Sequence, residues 1–205
     1  MGQNCTIIAI AGGSGSGKSV LAEKISELLE SEHCNIISQD SYYYDHSENF
    51  DEDGGAINFD HPSSIEFSLL AEHLTKLQNG QPVEIPNYDF VTHGRMQKGH
   101  TITPSPVILL DGTLLLSQDE ILAHVDASIF VDVSQEIRLE RRIARDVEYR
   151  GRKKEGILKQ WNNQVQPMHE EFVDSFTHRA DLCLDGTRKI ENNARLVIQE
   201  FNLFG

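Results

Sequence analysis

The chain contains 205 residues, with 18 Lys and Arg against 32 Asp and Glu, and carries a formal net charge of −14. A chain of this length can bury a core as one domain, residues 1–205, without disulfides or a structural metal, and 39% hydrophobic residues are typical of a globular protein. The acidic balance excludes nucleic acid and anionic membranes as partners, because the chain would repel them at long range.

Short apolar runs and helical periodicities alternate along the chain. The first part of the chain predicts a strand at residues 6–10, a helix at 18–30, a strand at 35–38 and a mobile acidic loop at 45–55. The middle predicts a helix that opens at 61–63 and runs to 80, extended segments at 82–90 and 96–103, and strands at 107–110 and 128–133. The last part predicts a helix through 138–154, a helix at 157–176 across Pro167, a strand at 180–184 and a helix at 190–201. This alternation predicts an α/β fold with a mainly parallel sheet and helices on both faces. The two extended segments predict a hairpin-like excursion.

The segment between the first strand and helix matches the phosphate-binding pattern G-x-x-x-x-G-K-[ST]. Glycines let backbone N–H groups converge on phosphate oxygens at a helix N-terminus, the lysine adds positive charge, and the last hydroxyl can ligate Mg²⁺. The pattern therefore predicts binding of a nucleoside triphosphate, although it does not decide the reaction. The loop consists of Gly12, Gly13, Ser14, Gly15, Ser16, Gly17, Lys18 and Ser19.

Two carboxylates follow predicted strands, where ligands bind in open α/β sheets. Asp111 ends the run at 107–110, as expected of an acid that holds Mg²⁺ directly or through water. Asp40 ends the strand at 35–38, where a general base for a substrate hydroxyl belongs. Both also have a structural interpretation, Asp111 as a turn residue and Asp40 as a cap. The tyrosines at 42–44 are assigned no chemistry.

Charge is distributed unevenly. Twelve carboxylates and no Lys or Arg lie between Lys24 and Lys76, whereas eight basic residues face three acidic ones within 138–154. A charged run is often only a solvated helix face. Because an acidic chain needs a local basic site to bind a triphosphate, we predict that the segment 138–154 meets the phosphates.

Cys5, Cys34 and Cys183 are odd in number and far apart, which indicates neither a disulfide framework nor a zinc site. We expect buried thiols in a reducing cytoplasm. The N-terminal apolar run is too short to span a membrane and has no basic flank, so the expected location is cytosolic.

Further motifs accompany the phosphate loop along the chain. They are Gln39-Asp40-Ser41-Tyr42-Tyr43, Asn58-Phe59-Asp60-His61-Pro62, Pro86-Asn87-Tyr88-Asp89-Phe90 with His93 and Arg95, Arg141-Arg142-Ile143-Ala144-Arg145-Asp146, Arg150-Gly151-Arg152 and Ala180-Asp181. From Ile7 to about Asp181 the sequence resembles the uridine kinase, or uridine-cytidine kinase, family. The resemblance implies a P-loop NTPase three-layer fold with a nucleoside-binding hairpin at about 82–103 and a lid at about 138–154.

The resemblance also implies roles for individual residues. Asp40 would activate the nucleoside 5′-hydroxyl as a base, and Lys18, Arg142 and Arg145 would act on the transferring phosphoryl group. In the nucleoside pocket, Asp60 would bind the ribose hydroxyls, Tyr88 and His93 would bind the pyrimidine with Phe90 beside them, and Arg150 and Gln160 would complete the pocket. Arg152 would bind the donor phosphates. Ser19, Asp40 and Asp111 would surround Mg²⁺.

The chain departs from the family pattern at four places. Asp111 stands where the family usually has Glu, so metal coordination is expected to need an extra water. Trp161 replaces Tyr, and Tyr149 replaces Glu. Leu184-Asp185-Gly186 replaces Pro-Arg-Gly and places a carboxylate where a cation is expected near the donor base. These departures leave the choice between ATP and GTP open.

Three functional hypotheses follow. The first is a Mg²⁺-dependent kinase that moves the γ-phosphoryl of ATP or GTP to the 5′-hydroxyl of uridine or cytidine. The second is a kinase for another small alcohol, similar to phosphoribulokinase or pantothenate kinase. The third is a nucleotide-binding regulatory module that acts through a partner. The resemblance implies a homotetramer.

Overall fold

The computed structural model describes residues 5–30, 33–48, 57–90 and 92–203. Its strands are β1 (Thr6–Ala11), β2 (Cys34–Ser38), β3 (Val83–Ile85), β4 (Tyr88–Asp89), β5 (Gly94–Arg95), β6 (His100–Ile102), β7 (Val107–Gly112), β8 (Ala127–Asp132) and β9 (Leu182–Asp185). Its α-helices are α1 (Lys18–Leu28), α2 (Phe67–Gln78), α3 (Asp119–Leu122), α4 (Gln135–Arg150), α5 (Lys154–Gln160), α6 (Gln166–Phe172) and α7 (Ile190–Glu200).

Five strands form one parallel sheet in the order β2-β7-β1-β8-β9. The order places the first strand at the centre, so the loop that follows β1 opens at the middle of the carboxyl edge. Ile10 of β1 is in register with Asp111 of β7, and Ser38 of β2 is in register with the same Asp111. The ends of β1, β2 and β7 therefore meet at one edge, as the α/β prediction requires.

Apolar side chains cover both faces of this sheet, because alternate residues of a strand point to opposite sides. Ile7 and Ala9 pack with the stripe of α2, whereas Ile8 and Ile10 pack with α1 and α7. All four residues are fully buried. The result is a three-layer arrangement with a helical layer on each side of the sheet.

The excursion between α2 and β7 consists of two antiparallel pairs. Val83–Ile85 pairs with His100–Ile102, and Tyr88–Asp89 pairs with Gly94–Arg95. His93 occupies the turn with a φ of +52°, a left-handed conformation that is uncommon outside glycine. The excursion carries Tyr88, Phe90 and His93 away from the main sheet and toward its carboxyl edge.

Three helix predictions need correction. The helix expected through 138–154 ends at Arg150, because Gly151 takes a left-handed φ of +63° and caps it, and α5 begins only at Lys154. The helix expected from His61 begins only at Phe67: residues 62–64 form a 3₁₀ turn, and Ile65 is extended and bridges Tyr43. The helix expected at 157–176 is divided into α5, a π-helical turn at Trp161–Val165, α6 and a 3₁₀ segment at Asp174–Arg179. The π turn directly precedes α6, where Pro167 has no N–H to continue the α-helical ladder.

The cysteine prediction is only partly right. Cys5, Cys34 and Cys183 are free thiols, and burial raises the pKa of Cys5 and of Cys34 to about 11. Cys183 is exposed and lies on β9, an edge strand of the sheet. The predicted mobile loop at 45–55 falls mostly on residues 49–56, which lie outside the described residues. No helix within the described ranges is long and apolar enough to cross a bilayer.

Candidate active site

The phosphate loop joins β1 to α1 in a conformation that depends on glycine. Gly12, Gly15 and Gly17 have φ values of +151°, +83° and +93°. A Cβ on Gly15 would overlap the carbonyl of Arg138. Gly17 is the N-cap of α1, and no side chain caps this helix end. Its first N–H groups are therefore available to an anion.

Helix α4 lies behind the loop and holds it with two arginines. Arg141 donates from Nη1 to the carbonyl of Ser16 at 3.2 Å and from Nη2 to the carbonyl of Gly186 at 3.2 Å. Arg142 donates from Nη1 to Ser14 Oγ at 3.0 Å. The basic segment thus contacts the loop directly, and its contact with the phosphates stays a prediction.

Asp40 and Asp111 lie on neighbouring strand ends. Asp40 stands two residues beyond Ser38, the residue in register with Asp111, and its N–H donates to Ser38 Oγ at 3.3 Å. Asp111 is almost fully buried, and burial raises its pKa, although the charge of Lys18 and the hydroxyl of Ser19 lower it. Asp111 Oδ1 has no hydrogen-bond partner. A buried carboxylate oxygen without a partner, beside the Ser19 hydroxyl, suits a cation.

Within the described ranges no group of three His, Cys, Asp or Glu side chains could cage a metal by itself. Mg²⁺ usually takes one or two carboxylates and completes its coordination with water and substrate phosphates. The pair Asp40 and Asp111, together with the hydroxyl of Ser19, offers that donor set.

A cleft of about 640 Å³, partly open to solvent, extends from the phosphate loop to the hairpin. Predicted site residues that line the cleft are Ser14, Lys18, Asp40, Asp60, Tyr88, Phe90, His93, Arg142, Arg145, Arg150, Arg152 and Gln160. Ser19 and Asp111 do not line it, and Asp111 sits within β7 below the loop.

Aromatic rings form the far wall of the cleft. His93 stacks on Phe59 with ring centroids 4.4 Å apart, and Tyr88 contacts Phe90 edge to face at 5.3 Å. The hydroxyl of Tyr88 lies 3.2 Å from His93 Nδ1. Burial and the nearby arginines 152 and 150 lower the pKa of His93, so the imidazole is neutral at physiological pH. The wall can pack against a flat ring and offer polar groups at its edge.

Asp60 is the acidic group between the aromatic wall and the loop. Burial raises its pKa, the charge of Asp40 raises it further, and Arg142 opposes both by lowering it. Its N–H donates to Asn58 Oδ1 at 3.2 Å, in a turn that fixes the backbone. A carboxylate in this position can accept two hydrogen bonds from a neighbouring diol.

Arg95 attaches the hairpin to the segment that follows Asp40. It donates from Nε to the carbonyl of Tyr43 at 2.7 Å and from Nη2 to the carbonyl of Tyr42 at 2.9 Å, and it is ion-paired with Glu66. Arg95 belongs to the hairpin, and Tyr42 and Tyr43 closely follow Asp40 in the chain. These contacts therefore attach the hairpin, which carries part of the aromatic wall, to the segment that carries Asp40.

Three residues of the cleft were not predicted as site residues: Tyr43, Phe59 and Thr113. Tyr43 packs against Tyr88 with centroids 5.2 Å apart, and its hydroxyl pKa is raised by burial and by Asp40. Thr113 directly follows Asp111-Gly112, so its position after a buried strand was an available signal. Phe59 precedes Asp60 in the motif at 58–62, but its ring contact with His93 joins distant segments and could not be predicted from the sequence.

Asp185, which stands where the family pattern has Arg, forms hydrogen bonds within its own turn. Its Oδ1 accepts hydrogen bonds from the N–H and the hydroxyl of Thr187, at 2.8 and 2.5 Å. Arg188 Nε lies 3.7 Å from the other carboxylate oxygen. A cation therefore remains on this loop, three positions later than the family pattern would place it.

Comparison with known proteins agrees with this geometry. The model of the phosphoribulokinase / uridine kinase family matches residues 7–191. A uridine kinase of Shewanella frigidimarina is 40% identical over 89% of this chain and 88% of its own, and one of Pasteurella multocida is 41% identical over 88% and 86%. The solved structure of a possible uridine kinase from Bacillus stearothermophilus superposes with a TM-score of 0.66 at 16% identity, covering 89% of each chain. On sequence and fold together, the chain is a member of the phosphoribulokinase / uridine kinase family.

Proposed function

We propose that this chain is a uridine and cytidine kinase, which transfers the γ-phosphoryl group of ATP or GTP to the 5′-hydroxyl of a pyrimidine ribonucleoside. One observation carries the proposal: a single cleft joins the phosphate-loop lysine, a carboxylate at a strand end and an aromatic chamber that contains a second carboxylate. The relatives named uridine kinase, near 40% identity over most of both chains, support the same assignment.

The donor phosphates lie on the loop at the N-terminus of α1. Backbone N–H groups from Gly12 to Ser19 bind phosphate oxygens, and Lys18 adds a positive charge at the cleft. Arg142, Arg145 and Arg152 line the same cleft and stabilise the charge on the transferring group. Such arginines accelerate phosphoryl transfer by about 10³ to 10⁵ where they act.

Asp40 is the general base in this proposal. It lines the cleft between the phosphate loop and the aromatic chamber, so its carboxylate can take the proton of the 5′-hydroxyl as the oxygen attacks phosphorus. Asp60 accepts hydrogen bonds from the ribose hydroxyls and thereby turns the 5′-hydroxyl toward the loop. A correctly oriented pair of reactants supplies much of the rate enhancement in phosphoryl transfer.

The chamber around Tyr88 and His93 receives the pyrimidine. The ring lies against the aromatic wall, and the imidazole, which is neutral because burial and cations lower its pKa, presents a hydrogen-bonding nitrogen to the base edge. Tyr88 fixes the orientation of that imidazole through its hydroxyl. Arg150, placed over the ring of Phe90 at 4.8 Å, and Gln160 complete the chamber.

Ser19, Asp40 and Asp111 would hold Mg²⁺ at the strand ends. The ion would supply Lewis-acid stabilisation of the phosphate oxygens when bound. The unpaired Oδ1 of Asp111 is the observation that favours this site, although the side chain is one methylene shorter than the Glu expected from the family pattern.

The direct test is a coupled ADP- or GDP-release assay with a panel of acceptors and with ATP and GTP as donors. Turnover of uridine and cytidine, with little turnover of purine nucleosides, is the expected result. Turnover of ribulose 5-phosphate or pantothenate in their place would favour a related alcohol kinase. Nucleoside-independent ATP hydrolysis as the only activity would favour a regulatory module.

We also propose a homotetramer in the cytoplasm. The family resemblance supports the tetramer, and the three free thiols are in keeping with a reducing compartment. Light scattering of the purified protein measures the oligomeric state directly.

A further inference from the structure

Asp146 has an environment that its place in an arginine-rich helix does not reveal. Its side chain is completely buried and contacts four arginines. Oδ1 lies 2.8 Å from Arg145 Nη2 and 3.4 Å from Arg150 Nη1. Oδ2 lies 3.6 Å from Arg142 Nε and 3.5 Å from Arg152 Nη1. One carboxylate therefore connects every arginine that lines the cleft.

Local structure brings these arginines together. Arg142 and Arg150 lie one helical turn before and after Asp146 on α4. Gly151, with a φ of +63°, ends the helix and turns the chain back, so that the N–H of Arg152 donates to the carbonyl of Asp146 at 3.0 Å.

Gln160 is a second common acceptor. Its Oε1 receives hydrogen bonds from Arg142 at 3.0 Å and from Arg152 at 2.7 Å. Arg152 is thus held at two points, and Arg142, which also donates to Ser14 Oγ, is held at three. Their planes are oriented before any ligand arrives.

The charges in this cluster do not cancel. Four guanidinium groups share one carboxylate, which leaves an excess of three positive charges at the wall of the cleft. If each arginine had its own carboxylate partner, the cluster would be neutral and would attract phosphate less. The observed ratio keeps the wall attractive to a polyanion and restricts the motion of the long side chains at the same time.

We propose that Asp146 is a positioning residue, which fixes Arg142, Arg145 and Arg152 for the transferring phosphoryl group without touching that group. The proposal rests on the kinase function proposed above. Preorganised charge accelerates a reaction because it needs no reorganisation during the step, and a displacement of about 1 Å can cost on the order of 10²-fold in rate. Asp146 therefore acts on kcat, whereas it opposes donor binding slightly through its negative charge.

The charge-neutral variant Asp146→Asn tests this division. We expect kcat to fall at least about tenfold, while the affinity for ATP, measured by titration calorimetry without acceptor, stays equal or becomes tighter because one negative charge is lost. A purely structural role predicts weaker ATP binding along with lower turnover. Weaker ATP binding in this variant, or a kcat within about threefold of the wild-type value, would overturn the proposal.

Asp146→Glu separates position from charge. It keeps the negative charge but moves it by one methylene within a fully buried site, so we expect a lower thermal stability and a kcat that is still reduced. Full recovery of kcat would mean that charge alone matters, which contradicts positioning. If Asp146→Asn does not fold, this variant decides the question.

Glu140→Gln is the matched control, because Glu140 is an exposed carboxylate on the same helix. It should leave both kcat and ATP affinity unchanged. Failure of the kinase proposal has a different signature, namely wild-type protein that turns over neither uridine nor cytidine. The calorimetric comparison of ATP binding still tests Asp146 in that case, since it needs no acceptor.

Discussion

The backbone N–H of Leu114 donates a hydrogen bond of 2.9 Å to Oε1 of Gln39, a residue 75 positions earlier in the chain. The bond is buried and ties the end of β2 to the end of β7. Gly112 permits it, since a Cβ there would come within 2.6 Å of the Gln39 Cβ. Asp40 directly follows Gln39, and Asp111 lies three residues before Leu114, so the contact ties together the two segments that carry the proposed base and the proposed metal ligand.

Replacement of Asp40 by Asn should remove the base and retain the shape of the side chain. We expect kcat with uridine to fall by about 10² or more, because a positioned base contributes on that order. Steady-state kinetics measure the effect, and circular dichroism checks folding. Glu120→Gln, an exposed carboxylate-to-amide change on α3, serves as the control and should leave kcat unchanged. Activity of Asp40→Asn within tenfold of the wild type would remove Asp40 as the base.

Asp60→Asn should weaken binding of the ribose. Hydrogen bonds to charged groups contribute about 1.5–3 kcal/mol, so KM for uridine should rise roughly 10- to 150-fold. The wild-type enzyme should discriminate against 2′-deoxyuridine, which lacks the hydroxyl that binds Asp60. The variant should lose most of that discrimination, because the substitution has already removed the carboxylate that this hydroxyl binds. Equal discrimination by both proteins would show that Asp60 does not bind the 2′-hydroxyl.

The pKa of Asp60 gives this site a predictable pH dependence. Because burial raises the pKa, Asp60 protonates at a higher pH than an exposed carboxylate as the solution is acidified. KM for uridine in the wild type should therefore rise on acidification while exposed carboxylates are still ionised. The rise should be absent from Asp60→Asn, and its persistence in that variant would assign it to another group.

Asp111→Asn should stabilise the protein in the absence of ligands at neutral pH. Burial raises the folded-state pKa of Asp111 above its ordinary value of 3.8, so the folded state holds more protons than the unfolded state between these two pKa values. Stability contributed by this group therefore decreases as pH rises through that window. The variant should melt at a higher temperature at pH 7, and the difference should disappear below about pH 3.8. Thermal melts with added Mg²⁺ should show a smaller stabilisation in the variant than in the wild type.

Two glycine substitutions form a matched pair. Gly15→Ala places a Cβ against the Arg138 carbonyl at a left-handed φ of +83°, so we expect lower stability by at least about 1–2 kcal/mol and weaker ATP binding. Gly156→Ala lies within α5 with open space around it and should raise stability by about 0.5–1 kcal/mol. Chemical denaturation and ATP titration measure both. Similar stabilities for the two variants would contradict the strained geometry of the loop.

Local patterns in the sequence were sufficient for the main elements of the fold. The run at 6–10, the glycine loop and the helical stripe that follows predict β1, the phosphate loop and α1, because each depends on neighbouring residues alone. The same holds for Asp111 after a buried run. The start of α2 was placed too early because Ile65 joins a bridge to Tyr43, a contact between distant segments that periodicity does not record.

The cleft itself was only partly predictable from the sequence. Tyr43 was assigned no chemistry, yet it lies between Tyr88 and Phe59 in the aromatic wall, at centroid distances of 5.2 and 5.8 Å. Tyr43 belongs to the motif at 39–43, but its ring partners come from other segments, so the motif does not indicate what Tyr43 contacts. The helical spacing of Asp146 from Arg142 and Arg150 can be read from the sequence. Its contact with Arg152 depends on the turn of the chain at Gly151, and the burial of Asp146 depends on tertiary packing.

The sequence by itself determined which chemical groups this protein has: a loop for phosphates, carboxylates after strands, and an arginine-rich helix. These depend on backbone preference and on side chains close along the chain. Only the tertiary structure decided how those groups combine, since the Gln39–Leu114 bond, the Arg95 contacts and the arginine cluster around Asp146 join segments that local sequence does not relate. Burial, which raises the pKa of Asp60 and of Asp111, is likewise a property of the packed chain.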